Sequence, residues 1–207
     1  ITLAMATRKK LASSEGVKAK TELSREALED ANQSASIIEE RSKGLVVFIE
    51  RYKKLTGLPP LKMERFAASD LFLKVEQLFR EDIKTRGIKL SLPRQCKVQM
   101  EADRHMMEQV LINLVKNSLE AVRNTKDPAI DLSCRQGAGG RLFLQLSDNG
   151  EGIPNDKLEQ VFVPFFTTRQ NGSGIGLSLC RQIIRSHKGH LSIESEPGKG
   201  TRATISL

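Results

Sequence analysis

Two asparagines, Asn113 and Asn117, interrupt a stretch that otherwise has the pattern of a buried helix, QVLINLVKNSLEA from Gln109 to Ala121. Val110, Leu111, Leu114, Val115 and Ala121 form an apolar stripe at helical spacing. The two amides, offset by about 40° around the axis, share a neighbouring face. Leaving a buried amide unsatisfied costs about 1–3 kcal/mol, so each needs a partner. A neighbouring loop would satisfy one of them. Two on one face, with Glu120 close by, point instead to oxygens aimed at a ligand. An amide oxygen suits Mg²⁺, which takes oxygen donors and keeps waters and phosphate oxygens in its shell.

Three further stretches carry side chains or backbone of chemical interest. In LSDNGEGIP, Leu146 to Pro154, a strand ends in Asp148 and is followed by Gly150 and Gly152, which let the backbone come close to a flat ligand. Asp148 is an acceptor suited to the exocyclic amine of adenine; a plain turn rich in Asn and Gly is the other reading. In TTRQNGSGIGLSL, Thr167 to Leu179, Gly172, Gly174 and Gly176 lead into an amphipathic helix whose free N–H groups and dipole favour phosphate. Arg169 lies in that loop within reach of a terminal phosphate. The loop is polar and long, unlike the strand that precedes a dinucleotide fingerprint, and its glycines also suit a lid that closes over a ligand. EPGKGTRATISL closes the chain with Gly198, Gly200 and Thr201 before a strand, as many hairpins do.

The elements that position these residues follow from the pattern around them. The chain has 207 residues, of which 39% are hydrophobic, enough for one domain and a smaller element. A net charge of +8 invites a nucleic-acid partner. Acidic residues are interleaved throughout, however, and there is no Trp, one Tyr and no basic-aromatic stripe on which bases would stack. A solvated basic surface, attractive to a polyanion such as a nucleotide, is the better reading. No apolar run is long enough to cross a bilayer, and no direct membrane contact is expected. Cys96, Cys134 and Cys180 lack metal-ligand spacing and read as reduced thiols.

The proline pair in GLPPLKM, residues 57–63, marks a boundary near Pro59. Before it, Ala27, Ala31, Ser34, Ile38, Arg41, Leu45, Phe48, Tyr52 and Leu55 form a heptad-like series, fitting a long helix in a bundle. Ile1 to Leu11 read as the end of an earlier helix and SSEGVKAK as the turn. After the prolines, strands and helices alternate. LKMERFAA is expected as a strand, with Asp70 capping a helix to Arg86. IKLSL and KVQM are expected as an irregular hairpin, and Asp103 as the cap of the amide helix. AIDLSCRQ and RLFLQLSDNG should pair around GAGG. A short helix from Asn155 to Phe162, a helix from about Gly174 to His187, and two closing strands complete an α+β, two-layer α/β sandwich preceded by a helical hairpin.

Taken in order, the amide helix, Asp-x-Gly-x-Gly, FVPFFTT with Phe162, Phe165 and Phe166, the Gly-rich lid and Gly-x-Gly-Thr resemble the N, G1, F, G2 and G3 boxes of sensor histidine kinases. The resemblance covers residues 61–207 and implies the Bergerat ATP-binding fold over 59–207. Residues 1–58 resemble part of the family's dimerisation and histidine-phosphotransfer hairpin. The resemblance implies ATP and Mg²⁺ as cofactors, Asn117 as the metal ligand and Asn113 beside it near the phosphates. It places Asp148 on the adenine amine and Thr201 in adenine recognition through water. Gly150, Gly152, Ile153, Thr167, Thr168, Gly172, Gly174, Gly176 and Leu177 would complete the nucleotide site, with Arg169 at the triphosphate. It also implies a homodimer through the hairpin, a response regulator receiver domain as partner and a cytoplasmic location.

ATPase relatives of this fold generally carry Glu four residues before the metal-binding Asn, as a base. Here that position is Asn113, which cannot take a proton, so the resemblance favours a kinase over an ATPase. The only histidines, His105, His187 and His190, all lie in the catalytic part and read as structural or surface residues. The phosphoacceptor His is therefore expected upstream of Ile1. The alternatives are a nucleotide-regulated binding module without phosphoryl transfer and an ATPase of this fold without kinase activity.

Overall fold

The structure, a computed structural model, describes residues 33–34, 36–46, 49, 52–53, 57–93, 96, 98–168 and 172–207. The chain divides into two units between Tyr52 and Lys53. In the first, α1 is helical over residues 36–46. Its Ile37, Ile38, Leu45 and Val46 are exposed, as are Ile49 and Tyr52.

In the second unit, Leu58 and Leu61, on either side of the proline pair, already pack against the core. The elements are β1 (Met63–Ala67), α2 (Ala68–Thr85), β2 (Lys89–Ser91), β3 (Gln99–Asp103), α3 (Arg104–Ala121), β4 (Ala129–Gln136), β5 (Leu142–Asp148), α4 (Asn155–Leu158), α5 (Gly176–Ser186), β6 (His190–Glu196) and β7 (Gly200–Ser206). A five-stranded mixed sheet has the order β2-β4-β5-β7-β6, and β1 and β3 form a separate pair. Alternation along β5 sends Leu142, Leu144 and Leu146 to the helix layer, where Ile130 and Leu132 of β4 and Ala203 and Ile205 of β7 join them. α3 lies on this face in contact with both α2 and α5, and its Met107, Val110, Leu111 and Val115 are almost completely buried. The chain thus has the expected α+β two-layer form.

Four local expectations are corrected. IKLSL and KVQM do not form a hairpin: β2 pairs parallel with β4, while β3 pairs antiparallel with β1. The loop carrying Pro93 and Cys96 separates them, and each strand finds a partner distant in sequence. Asp70 is not the cap of α2. The chain passes straight from β1 into the helix, the first free N–H, of Ala68, is met by the Val98 carbonyl at 2.9 Å, and Asp70 sits in the first turn against Arg104 at 3.6 Å. The short helix stops at Leu158, because Gln160 and Val163 donate to carbonyls three residues back and tighten the chain into turns. Finally, Cys96 and Cys134 are paired as a disulfide with Cα atoms 6.5 Å apart, within the usual range. The loop after β2 folds back on β4 and brings them together; only Cys180 is a free thiol among the described cysteines. No described helix is long and apolar enough to cross a membrane.

Candidate functional site

A cleft of about 830 Å³ opens where α3, the end of β5 and the loop before α5 meet. Asn113, Asn117, Asp148, Gly152, Ile153, Thr167, Thr168, Gly172, Gly174, Gly176, Leu177 and Thr201 all line it. Gly150 does not. It is buried beneath the site, where a Cβ would stand 2.6 Å from the Ala121 backbone, so its missing side chain serves the packing of the turn on α3 rather than a ligand. Arg169 lies outside the described residues.

Sheet register builds one end of the cleft. Asp148, the last residue of β5, stands opposite Thr201 of β7. Its Oδ1 accepts the N–H of Gly150 at 3.0 Å and of Thr201 at 3.2 Å, and its Oδ2 accepts the Ser118 hydroxyl at 2.6 Å. Strand, turn and helix therefore fix one carboxylate. Ser118 is 3% exposed and sits in an otherwise apolar position of α3; it was missed from sequence, where a lone hydroxyl on a core face is the one signal that could have found it. Ser195 of β6 is a second hydroxyl missed from sequence, and it bonds Ile153, Gly200 and Thr201.

The other end is built by the amides and the start of α5. No side chain caps the N-terminus of α5, and Gly176 there has only the Asn113 side chain within 4 Å of where a Cβ would be, Oδ1 at 3.7 Å. The uncapped helix start, two amide residues and the basic residues Lys116 and Lys157 thus share the cleft lining, a set suited to a polyanion. Asn113 also touches the Cys180 thiol, which lies 3.7 Å from the Val110 carbonyl. Burial pushes that thiol up to about 12, so it remains a neutral packing group. Among the described residues no three His, Cys, Asp or Glu side chains cluster to hold a metal. A cation here would be held by amide oxygen, ligand phosphates and water, which suits Mg²⁺.

The loops that frame the cleft are pinned by close backbone approaches. Gly152 has φ +70° and abuts the Glu196 carbonyl. Gly174 has φ +66° and abuts Phe165, whose N–H donates to the Gly174 carbonyl at 2.8 Å. Phe165 itself has φ 67°, so the aromatic turn and the segment leading into α5 are locked to each other. Arg181 of α5 covers the Phe162 ring at 4.0 Å.

Away from the cleft, Asp103 ties three elements. Its Oδ1 caps α3 by accepting the Met106 N–H at 3.0 Å, and its Oδ2 accepts the Lys62 N–H at 2.9 Å. Its own N–H donates to His187 Nε2 at 2.9 Å, at the end of α5. His187 Nε2 therefore carries no proton, and Nδ1–H donates to the Ile183 carbonyl at 2.8 Å. Both ring nitrogens are engaged, and none of His105, His187 and His190 lines the cleft.

A two-layer α+β sandwich whose cleft has an asparagine helix on one wall, a strand-end carboxylate on another and glycines at the start of α5 has the form of an ATP-binding domain. The chain belongs to the family described as Histidine kinase-, DNA gyrase B-, and HSP90-like ATPase, which matches residues 102–207. It is similar to the sensor histidine kinase ZraS of Klebsiella oxytoca, 29% identical over 181 residues, covering 86% of this chain and 38% of that protein. It is also similar to the C4-dicarboxylate transport sensor protein DctB of Rhizobium meliloti, 40% identical over 121 residues, covering 58% and 19%. Among solved structures, the nucleotide-free catalytic domain of histidine kinase ThkA matches with a TM-score of 0.62 and 31% identity, over 70% of this chain and 95% of that one. The complex of ThkA with the response regulator protein TrrA matches with a TM-score of 0.66 and 28% identity, over 83% and 49%. The resemblance carried by the five ordered motifs is thereby shown. The chain spans less than two-fifths of the length of these curated relatives.

Proposed function

We propose that this chain is the catalytic part of a sensor histidine kinase: it holds ATP with Mg²⁺ and presents the γ-phosphate to a histidine, for relay to an aspartate of a response regulator receiver domain. Residues 59–207 form the ATP-binding domain and 1–58 part of a dimeric helical hairpin. The observation that carries the reading is the amide at position 113, beside the α5 N-terminus and across the cleft lining from Asp148. A site built to split ATP with water needs a base there, and an amide supplies none. The ThkA–TrrA complex supports a receiver domain as the next carrier.

In this reading Asp148 accepts the adenine amine, Asn117 gives its amide oxygen to Mg²⁺, and Asn113 lies beside the phosphates. The uncapped α5 N-terminus and Lys116 balance phosphate charge. Mg²⁺ supplies charge neutralisation on the phosphates. The acceptor is none of this chain's three histidines: the ring of His187 is occupied, and His105 and His190 stand on the nucleotide domain itself, unable to approach in line.

Incubation with γ-labelled ATP tests this. The chain alone should take up no label, yet should label a parent chain that retains the upstream helix but carries a dead nucleotide site, and that label should be acid-labile. Acid-labile label on this chain alone, lost in His105→Gln or His190→Gln, would defeat the assignment.

A further inference from the structure

Ser195 has a hydroxyl whose three hydrogen-bonding capacities are all consumed within the framework of the cleft. Its Oγ takes the Ile153 N–H at 2.8 Å, lies 2.8 Å from the Gly200 carbonyl oxygen and 2.9 Å from Thr201 Oγ1. A hydroxyl has one proton and two lone pairs. The Ile153 N–H can only donate, which uses one lone pair. The Gly200 carbonyl can only accept, so it needs the Ser195 proton; the reverse choice would press two acceptor oxygens together at 2.8 Å. One lone pair is left, and only the Thr201 proton can meet it. Thr201 Oγ1 thus spends its hydrogen on Ser195 and keeps nothing but lone pairs for the cleft it lines.

We propose that Ser195 is a positioning residue that sets base selectivity by fixing the polarity of Thr201. The inference rests on the reading of this cleft as an adenine nucleotide site. Next to Thr201 stands Asp148, whose carboxylate already receives Ser118, Gly150 and Thr201 donors from the protein. Carboxylate and hydroxyl together form an acceptor-only surface. It suits a base whose edge carries an amino group and rejects one that carries a carbonyl in its place. Ser195 touches no ligand; it acts by denying the site a donor.

Calorimetry with Mg²⁺-ATP and Mg²⁺-GTP on the full chain separates the possibilities. Wild type should prefer ATP. Ser195→Ala should weaken ATP by about five- to tenfold, the size of one neutral hydrogen bond, and weaken GTP less or strengthen it, because the Thr201 proton becomes free to meet a carbonyl. Ser195→Thr, which keeps the hydroxyl, should restore the preference. In a Thr201→Val background, Ser195→Ala should change selectivity no further. Ser195→Cys keeps the volume with a poor hydrogen-bonding group and reads the same effect should the alanine variant fail to fold. Equal loss of ATP and GTP, or additive losses in the double variant, would overturn the proposal and make Ser195 a structural brace. A wild-type chain that binds neither nucleotide would overturn the adenine reading itself, and this inference with it.

Discussion

Asn117 and Asp148 serve one proposed ligand by different routes, and substitution separates them. Asn117→Ala removes an oxygen that Mg²⁺ would use, so nucleotide affinity should lose its dependence on metal. Asp148→Asn replaces a carboxylate held by three donors with a group that turns an NH₂ toward at least one of them. Its loss, about 1.5–3 kcal/mol for hydrogen bonds to a charged group, should appear with and without metal. Calorimetry with ATP in Mg²⁺ and in EDTA checks both, and wild-type affinity in both variants would defeat the assignments. Both residues were legible in the sequence because each breaks a pattern: an amide pair on a core helix, a carboxylate at a strand end before glycines. Ser118 and Ser195 were not. A single hydroxyl is compatible with a buried or half-buried position, and only the packing of α3 on β5 and the register of β6 against β7 give these their partners.

The Asp103 junction shows how whole elements are held to one another. One side chain caps α3 and fastens the chain entering β1, while its backbone fastens the end of α5. Burial alone would raise the Asp103 pKa, but the hydrogen bonds from the Lys62 and Met106 N–H groups bring it below the ordinary 3.8. The sign follows. A carboxyl with a depressed folded pKa stabilises the fold above its unfolded pKa, and that stability is lost as pH falls through the folded value. Asp103→Asn offers one oxygen for two N–H groups and should cost about 1–3 kcal/mol at neutral pH. The gap should close as pH falls through the depressed folded value and the wild-type carboxyl protonates. Urea unfolding of both proteins at neutral and acid pH checks this; a gap independent of pH would mean the charge is not what fastens the elements. At this scale helices were legible from periodicity and strand pairs from local turns. The β2–β4 and β1–β3 pairings were not, because alternation tells that a segment is a strand but not which distant strand it joins.

For the molecule as a whole, the exposed Ile38, Leu45 and Tyr52 of the first unit recur at the heptad spacing read in the sequence. Exposed apolar residues that recur at heptad spacing on a helix are covered most simply by its own symmetry mate. The full chain should therefore be a dimer, and a chain beginning at Lys53 should be a folded monomer that still binds ATP. Light scattering that finds the full chain monomeric at high concentration would count against the hairpin dimer.

The strand order bears on how the domain comes into being. β7 lies between β5 and β6, so the strand of this domain that is made last is an interior strand of the sheet, not an edge. During synthesis, α2, α3, β4 and β5 leave the ribosome while the surface that Ala203 and Ile205 will cover is still bare. The core cannot close until residue 206 has emerged, and until then the free edge of β5 and the apolar face of α3 stand open to chaperones or to misassembly. This domain folds at the end of its translation rather than alongside it.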